Sequence, residues 1–185
     1  MCFLSFCYNE PMFYRQYYVS PLGRLSLVAS EEALYGIWLE GQNHFQAGLE
    51  EEKLVDTSNP ILEVTKKWLQ AYFEGENPSP NILPLAERGT DFQQKVWSAL
   101  RAIPYGQSRS YGQIGKQLSC HSAQAVGTAV GKNPWLILIP CHRVLPNTGH
   151  IGNYAAGEAA KRFLLHLDGL MFDSERYVQD RKSVV

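Results

Sequence analysis

The stretch Trp135–Val144, WLILIPCHRV, decides how the rest of the chain is interpreted. Its four apolar residues, LILI, lead into Pro140, and Cys141 and His142 follow directly. An apolar run of this length that ends at proline predicts a short buried strand or extended segment. A cysteine and a histidine would then lie in a turn at the end of a packed element. A thiol attacks as the thiolate, and a neighbouring imidazole or cation lowers its pKa. The residues after Cys141 therefore favour a reactive cysteine over an inert one.

The composition is that of a folded chain. The 185 residues are 45% hydrophobic and 12% aromatic, which is enough to build a core in one large domain or two small ones. No apolar run approaches the roughly 18 residues of a membrane span. The first residues also lack the basic segment of a secretory signal, so we expect a cytoplasmic protein with no membrane partner. Met12 is a candidate for the natural start, with residues 1–11 as an upstream extension.

The four cysteines, at positions 2, 7, 120 and 141, have the spacing of neither a disulfide framework nor a paired zinc motif. They favour a reducing compartment. We predict no bound metal and no cofactor.

Charge is distributed unevenly along the chain. Residues 1–89 contain 6 Lys and Arg and 12 Asp and Glu, a net charge of −6, whereas residues 90–185 contain 11 and 6, a net charge of +5. A basic C-terminal half suits a polyanionic partner such as DNA, although random scatter of charge would give a similar asymmetry.

The N-terminal half predicts an α/β domain. Three short runs separated by turn residues, Tyr14–Val19, Arg24–Ala29 and Leu34–Leu39, indicate an antiparallel meander. Asn59 and Pro60 then open a helix as its N-cap and first residue. We place this domain at residues 12–80 and a proline-containing linker at residues 81–89.

The C-terminal half predicts a mostly helical domain at residues 90–170. Thr90 begins a T-x-x-Q capping box at the start of one helix. Two short helices follow, Tyr111–Leu118 and Ser122–Val130, and the brief link between them suggests a helix-turn-helix. The second consists mainly of small residues, so it could lie very close to another surface. A last helix covers Glu158–Leu167, and residues 171–185 are expected to form a tail.

The pentapeptide Pro140-Cys141-His142-Arg143-Val144 resembles the active-site signature of the O6-alkylguanine-DNA alkyltransferases. Further motifs of that family follow the same order, and the resemblance covers about residues 13–169: Thr90-Asp91-Phe92-Gln93, Ile103-Pro104-Tyr105-Gly106, Ala125-Val126-Gly127, Asn133-Pro134 and Gly152-Asn153-Tyr154. It implies an N-terminal ribonuclease H-like domain, with an antiparallel sheet and a helix. It also implies a C-terminal winged-helix-like domain that carries the active-site cysteine.

The resemblance implies a DNA repair protein. Such a protein flips O6-alkylguanine, with O4-alkylthymine as a further candidate, out of double-stranded DNA, because chemistry on a base edge requires the base to leave the stack. It then transfers the alkyl group to its own cysteine. The thioether product is stable, so each molecule acts once. We expect it to be a monomer in solution.

The family's functional residues can be carried over by position. Cys141 is the nucleophile and His142 the base, which acts through a water. Asp168 orients the histidine, Tyr111 donates to the leaving guanine, and Asn133 holds the turn beside the thiol. Val144, Tyr154 and Ala155 line the base pocket. The DNA-contacting residues are Tyr111, Ala123, Gln124, Gly127, Thr128 and Lys132. Arg143 is expected to be structural, through a salt bridge or hydrogen bonds to loop carbonyls.

Three positions depart from the family pattern. Gln124 stands where the family usually inserts an arginine into the base stack, which predicts weaker DNA binding or less efficient flipping. Asp168 stands where the family uses glutamate; being one methylene shorter, it needs a shifted backbone or a bridging water, and predicts a less depressed thiol pKa. Ala155 replaces a serine found in many relatives.

Other functions remain open at this point. A non-catalytic protein that recognises alkylated bases would keep the fold without the chemistry, but its relatives replace the cysteine. A helix-turn-helix regulator would carry long polar side chains on its recognition helix. A cysteine hydrolase using Cys141, His142 and Asp168 would usually draw its cysteine and histidine from separate parts of the chain, and activity on esters or peptides would reveal it.

Overall fold

The computed structural model describes residues 13–148, 150–173 and 176–178. Strands β1 (Phe13–Ser20), β2 (Gly23–Ala29) and β3 (Leu34–Leu39) form the predicted antiparallel meander. A two-residue strand, β4 (Leu54–Val55), adds parallel to β1, giving the sheet order β3-β2-β1-β4. The sequence did not predict β4, because two residues carry no periodicity. The proposed start at Met12, the extension at residues 1–11, Cys2 and Cys7 lie outside the described residues.

Helix α1 (Pro60–Phe73) covers one face of this sheet. The Asn59 side chain accepts a hydrogen bond from the backbone N–H of Leu62 at 2.9 Å, so the predicted N-cap is confirmed. The helix buries an apolar stripe that includes Trp68 and Tyr72. This stripe places Tyr72 beneath the C-terminal half of the molecule, where it reaches the candidate site.

The described part of the C-terminal half contains four short helices and a pair of two-residue strands. Helix α2 (Asp91–Arg101) begins with the predicted capping box. Strand β5 (Arg109–Ser110), helix α3 (Tyr111–Gln117) and helix α4 (Ala123–Gly131) follow, then strand β6 (Val144–Leu145), which pairs parallel to β5, and helix α5 (Glu158–Leu167). Helix α4 packs on α2 and α3, so the predicted pair of helices is confirmed.

The WLILI segment is buried, but the prediction of a strand was wrong. Only Trp135 makes a β-bridge, to Ile37 of β3. The backbone then reverses: Ile137 has a φ of +70°, and the Ile139 N–H donates to the Trp135 carbonyl at 3.0 Å. Periodicity cannot distinguish a buried strand from a buried turn, since both read as a continuous apolar run. The turn brings Cys141 next to Asn133, just beyond the end of α4.

The expected tail is partly structured. After α5 the chain forms an antiparallel hairpin from β7 (Met171–Asp173) and β8 (Arg176–Val178), which the sequence did not predict. The start of the tail at residue 171 stays a prediction. The rest of the 171–185 segment lies outside the described residues.

One hydrophobic core joins the two halves. Its largest cluster includes Leu27 and Ile37 of the sheet together with Trp97, Val126 and Leu136. Residues 84–86 of the predicted linker also lie along β3, where the Leu34 N–H donates to the Pro84 carbonyl at 2.8 Å. The domain boundaries at 80 and 90 therefore stay a prediction, while the sheet-plus-helix and helical parts are those expected.

Candidate active site

Cys141 lies at the start of a single 3₁₀ turn, Cys141–Arg143, and is only 4% exposed. The Asn133 amide, held at the end of α4, donates to the Cys141 sulfur at 3.1 Å and to the Ile139 carbonyl at 2.9 Å. Burial raises the pKa of the Cys141 thiol, while the Asn133 hydrogen bond and the positive charge of Lys161 act in the opposite direction. Asn133 thus ties the reactive turn to the helix before it.

His142 and Asp168 are in direct contact inside the protein. The His142 Nε2 lies 3.0 Å from the Asp168 Oδ2, and both side chains are fully buried. Burial lowers the pKa of His142 and outweighs the attraction of Asp168, so the imidazole is neutral near pH 7. Since Asp168 is ionised, Nε2 carries the proton and donates it to the carboxylate. The contact is direct, so the shorter aspartate needs no bridging water to reach His142.

The opposite ring nitrogen of His142 is left available. Nδ1 is buried and has no hydrogen-bond partner among the described residues. With the proton on Nε2, Nδ1 carries a lone pair and can only accept a hydrogen bond or a proton. The histidine is therefore set up as a base rather than as an acid.

Asp168 is held by two further donors. The Arg143 Nε donates to Oδ2 at 2.5 Å and the Tyr72 hydroxyl donates to Oδ1 at 2.8 Å. Burial alone would raise the pKa of the Asp168 carboxyl, but the hydrogen bonds from His142 and Arg143 and the positive charge of Arg143 lower it to about 2. Arg143 also donates to the Ile103 carbonyl at 2.9 Å, so its expected structural role in salt-bridging and loop contacts is confirmed.

A buried lysine lies under the same turn. Lys161 of α5 has no exposed surface and donates to the Val144 carbonyl at 2.8 Å. Burial lowers its pKa to about 8, while the neighbouring Cys141 favours its charged form. A cation at this place stabilises a thiolate.

The thiol opens into a cavity of about 180 Å³. Tyr111 at the start of α3 and Gly127 of α4 form part of its wall, where small residues leave the space that bulkier ones would fill. The lining residues are Asn43, His44, Tyr111, Gly127, Val130, Gly131, Cys141, Asn153, Tyr154 and Ala155. Tyr154 and Ala155 thus lie where the base pocket was expected. Val144 is wholly buried in the core and is not part of this lining, so its pocket role stays a prediction.

The remaining predicted DNA-contacting residues lie on the outer face of α4. Ala123, Gln124 and Thr128 are exposed, as is Lys132 just beyond the helix end. Gln124 and Thr128 are one turn apart on the same side. The structure therefore leaves this face free for a partner.

Four contributors to the site were absent from the sequence-based site residues. Tyr72 lies in the buried face of helix α1, and Asn43 and His44 lie in an irregular loop with no motif. Lys161 carried a signal, since a lysine in an otherwise apolar helix face is unusual. The other three could not be found, because their proximity to Cys141 depends on how the two halves pack.

No group of three or more His, Cys, Asp and Glu side chains in residues 13–148, 150–173 and 176–178 is arranged to hold a metal ion. The same part of the chain contains no helix that is long and apolar enough to cross a membrane.

The chain matches known proteins along most of its length. Residues 13–86 match the ribonuclease-like domain of 6-O-methylguanine DNA methyltransferase, and residues 91–170 match its DNA binding domain. The chain belongs to the 6-O-methylguanine DNA methyltransferase family. The chain is 39% identical over 158 residues to the methylated-DNA–protein-cysteine methyltransferase of Methanosarcina acetivorans, covering 84% of this chain and 98% of that protein. It is 35% identical to the Haemophilus influenzae protein of the same name, covering 86% and 88%.

The fold is also similar to solved members of the methyltransferase family. Mycobacterium tuberculosis OGT in complex with DNA superposes with a TM-score of 0.75 at 37% identity, covering 84% of this chain and 92% of that one. The M. tuberculosis O6-methylguanine methyltransferase gives a TM-score of 0.72 at 36% identity, covering 85% and 93%. The two-part architecture expected from the resemblance is confirmed.

Proposed function

We propose that this protein repairs DNA by taking an O6-alkylated guanine from the duplex into the cavity beside Cys141. It transfers the alkyl group to the Cys141 sulfur. The observation that carries the proposal is a thiol in a cavity wall, followed by a neutral histidine whose Nε2–H is committed to Asp168 and whose Nδ1 is free. The membership of the methyltransferase family supports the same activity.

The reaction begins with activation of the thiol. His142 Nδ1 takes the thiol proton, directly or through one water, and the resulting imidazolium is stabilised by Asp168. The thiolate gains the hydrogen bond from Asn133 and the positive charge of Lys161. A hydrogen bond to a charged group is stronger than one to a neutral group, so these contacts lower the cost of forming the buried anion.

Alkyl transfer is then a single displacement. The Cys141 sulfur forms a bond to the alkyl carbon, and the bond from that carbon to guanine O6 breaks. The electron pair leaves on the guanine, where it is protonated. Burial raises the pKa of the Tyr111 hydroxyl, so Tyr111 stays protonated in the cavity wall and can donate a hydrogen bond to the leaving base. The product is a thioether, and no group in the cavity provides a route back to the thiol.

Recognition of DNA is assigned to the outer face of α4. Its exposed residues, with Gln124 at the centre, would enter the groove from which the damaged base leaves. The small residues of this helix suit a close approach to DNA. The expected partner is double-stranded DNA that carries O6-alkylguanine, with O4-alkylthymine as a further candidate.

The deciding experiment is the intact mass of the protein after incubation with one equivalent of duplex DNA carrying one O6-methylguanine. We expect a gain of one methylene, located at Cys141 by peptide mapping. Cys120→Ser is the matched control, because Cys120 is the other free cysteine among the described residues and lies outside the cavity. It should react fully, whereas Cys141→Ser should not. Selective binding of the lesion without any gain in mass would instead identify the alternative, a non-catalytic protein that recognises alkylated bases.

A further inference from the structure

Part of the cavity wall comes from the N-terminal half of the chain. Asn43 and His44 lie in residues 40–50, here called the 40–50 loop, which follows β3. Both are exposed residues that line the same cavity as Cys141. The loop is thus the one segment of the sheet domain that reaches the base pocket within the described part of the chain.

The 40–50 loop is fixed from several directions. The Gln42 Oε1, which is nearly buried, accepts a hydrogen bond from the Leu39 N–H at 2.8 Å. The Gln46 Nε2 donates to the Ser26 hydroxyl at 2.7 Å, and Arg88 donates to the Ala47 carbonyl at 2.5 Å. The loop therefore has a defined shape rather than a variable one.

The loop is also hydrogen-bonded to a residue that lines the cavity. The Asn43 backbone N–H donates to the Ala155 carbonyl at 3.1 Å. Ala155 and the preceding Tyr154 both line the cavity. This hydrogen bond therefore ties the 40–50 loop to the Tyr154–Ala155 segment of the cavity wall.

His44 has an unusual backbone conformation, with a φ of +59°. A non-glycine residue in this region is strained, and such strain is concentrated at functional sites. Nothing inside the fold uses its side chain: the imidazole makes no hydrogen bond or ion pair with any residue the structure describes. His44 is thus an exposed polar residue that borders this cavity and a neighbouring one lined by Arg88 and Lys132.

We propose that His44 is a specificity-determining residue that hydrogen-bonds the flipped alkylguanine inside the pocket. The inference rests on the proposed function. A hydrogen bond from His44 would matter in this chain, because Ala155 has no hydroxyl to offer the base. An imidazole can donate or accept a hydrogen bond and so suits the edge of a purine. The Asn43 backbone acts as the positioning contact.

The test is the single-turnover rate of alkyl transfer for His44→Gly. Glycine accepts a positive φ without strain, so the variant removes the imidazole and leaves the loop intact. The rate is measured with duplex DNA carrying O6-methylguanine and with the free base O6-benzylguanine. We expect a loss of about fivefold to tenfold with both substrates, as for a lost hydrogen bond. His44→Asn, which tolerates the same backbone region and keeps a polar side chain, should recover part of it.

Two controls separate this role from others. His166→Ala removes an exposed histidine from α5, away from the cavity, and should leave both rates unchanged. Reaction of Cys141 with iodoacetamide should be the same in His44→Gly and the wild type, because the thiol itself is untouched.

His44→Gly rates equal to those of the wild type would overturn the inference. So would a loss confined to duplex DNA and matched by weaker binding of undamaged DNA, since the imidazole would then contact phosphate. If the wild type itself gains no mass from the lesion, the proposed function fails, and that result is separate from either outcome for His44.

Discussion

The buried side chains around Cys141 and the exposed side chains expected to contact DNA differ in how many hydrogen bonds they make within the protein. In the network, Asp168 alone receives hydrogen bonds from His142, Arg143 and Tyr72, and each of these side chains is buried. By contrast, Gln124 on the outer face of α4 and His44 in the cavity wall are exposed, and their side chains make no hydrogen bond within the described residues. The chemistry is thus fixed by many contacts before DNA arrives, whereas recognition depends on contacts that only DNA can complete.

The largest expected effect comes from breaking the network at Asp168→Asn. The change leaves Arg143 as a buried cation without its carboxylate and removes the acceptor that fixes the His142 tautomer. Loss of one partner of a buried ion pair costs about 3–5 kcal/mol. Chemical denaturation should show a loss of this size, and alkyl transfer should fall in the fraction that remains folded. Gln113→Glu, an isosteric change at an exposed position, is the control. A stability within experimental error of the wild type would show that the network is not what holds this region.

The same carboxylate predicts a pH dependence of stability. Its pKa is lowered from 3.8 to about 2 in the folded protein, so it stabilises the fold at pH values above its unfolded pKa. As the pH falls through the range from about 4 to 2, about 2 kcal/mol should be lost. Acid titrations of the free energy of unfolding should show this loss in the wild type and not in Asp168→Asn. An equal loss in both proteins would contradict the assignment.

A smaller effect is expected from Lys161→Met, which removes the buried charge but keeps much of the apolar stem. Without this cation the thiol pKa should rise, because the thiolate loses a nearby positive charge. The pH–rate profile of alkyl transfer should move to higher pH by the same amount, and high pH should restore the rate. Lys95→Met on exposed α2 is the matched control. An unchanged profile would mean that Lys161 only supports the Val144 carbonyl.

On the outer face of α4, Gln124→Arg should increase the repair rate and the affinity for DNA. The added charge attracts phosphate and provides the residue that the family usually inserts into the stack. We expect a gain of about threefold to tenfold in repair rate at low salt, with a salt dependence steeper by about one ion. Thr128→Arg places the same charge one turn along α4 and separates attraction from insertion. Unchanged repair rate and affinity in Gln124→Arg would refute the idea that Gln124 limits flipping.

The smallest effect is expected for Asp168→Glu, which restores the family's residue inside the network. Because Asp168 already contacts His142 directly, the apparent thiol pKa should fall only slightly. The extra methylene also has to fit a packed interior, which costs stability. A pH–rate profile checks the shift, and no change at all would count against the view that the shorter aspartate leaves the thiol less activated.

Local sequence signals located most of the elements. Asn59 and Thr90 each start a helix because their side chains satisfy backbone N–H groups within three residues, which requires no distant partner. The meander strands were also placed within one residue at each end. The WLILI segment was mistaken for a strand, since hydrophobicity reports burial and the turn at Ile137 depends on packing against β3.

For the site, the sequence by itself determined the reactive turn and its neighbours in the chain: Cys141, the histidine after it, and an amide at Asn133 within reach. Only the tertiary structure decided which ring nitrogen of His142 is free, because that follows from Asp168, 26 residues later. It also brought Tyr72 to that carboxylate from 96 residues away and His44 to the cavity from the other domain. Contacts between residues so far apart in sequence depend on how the two halves pack in the shared core, and local sequence patterns do not predict that packing.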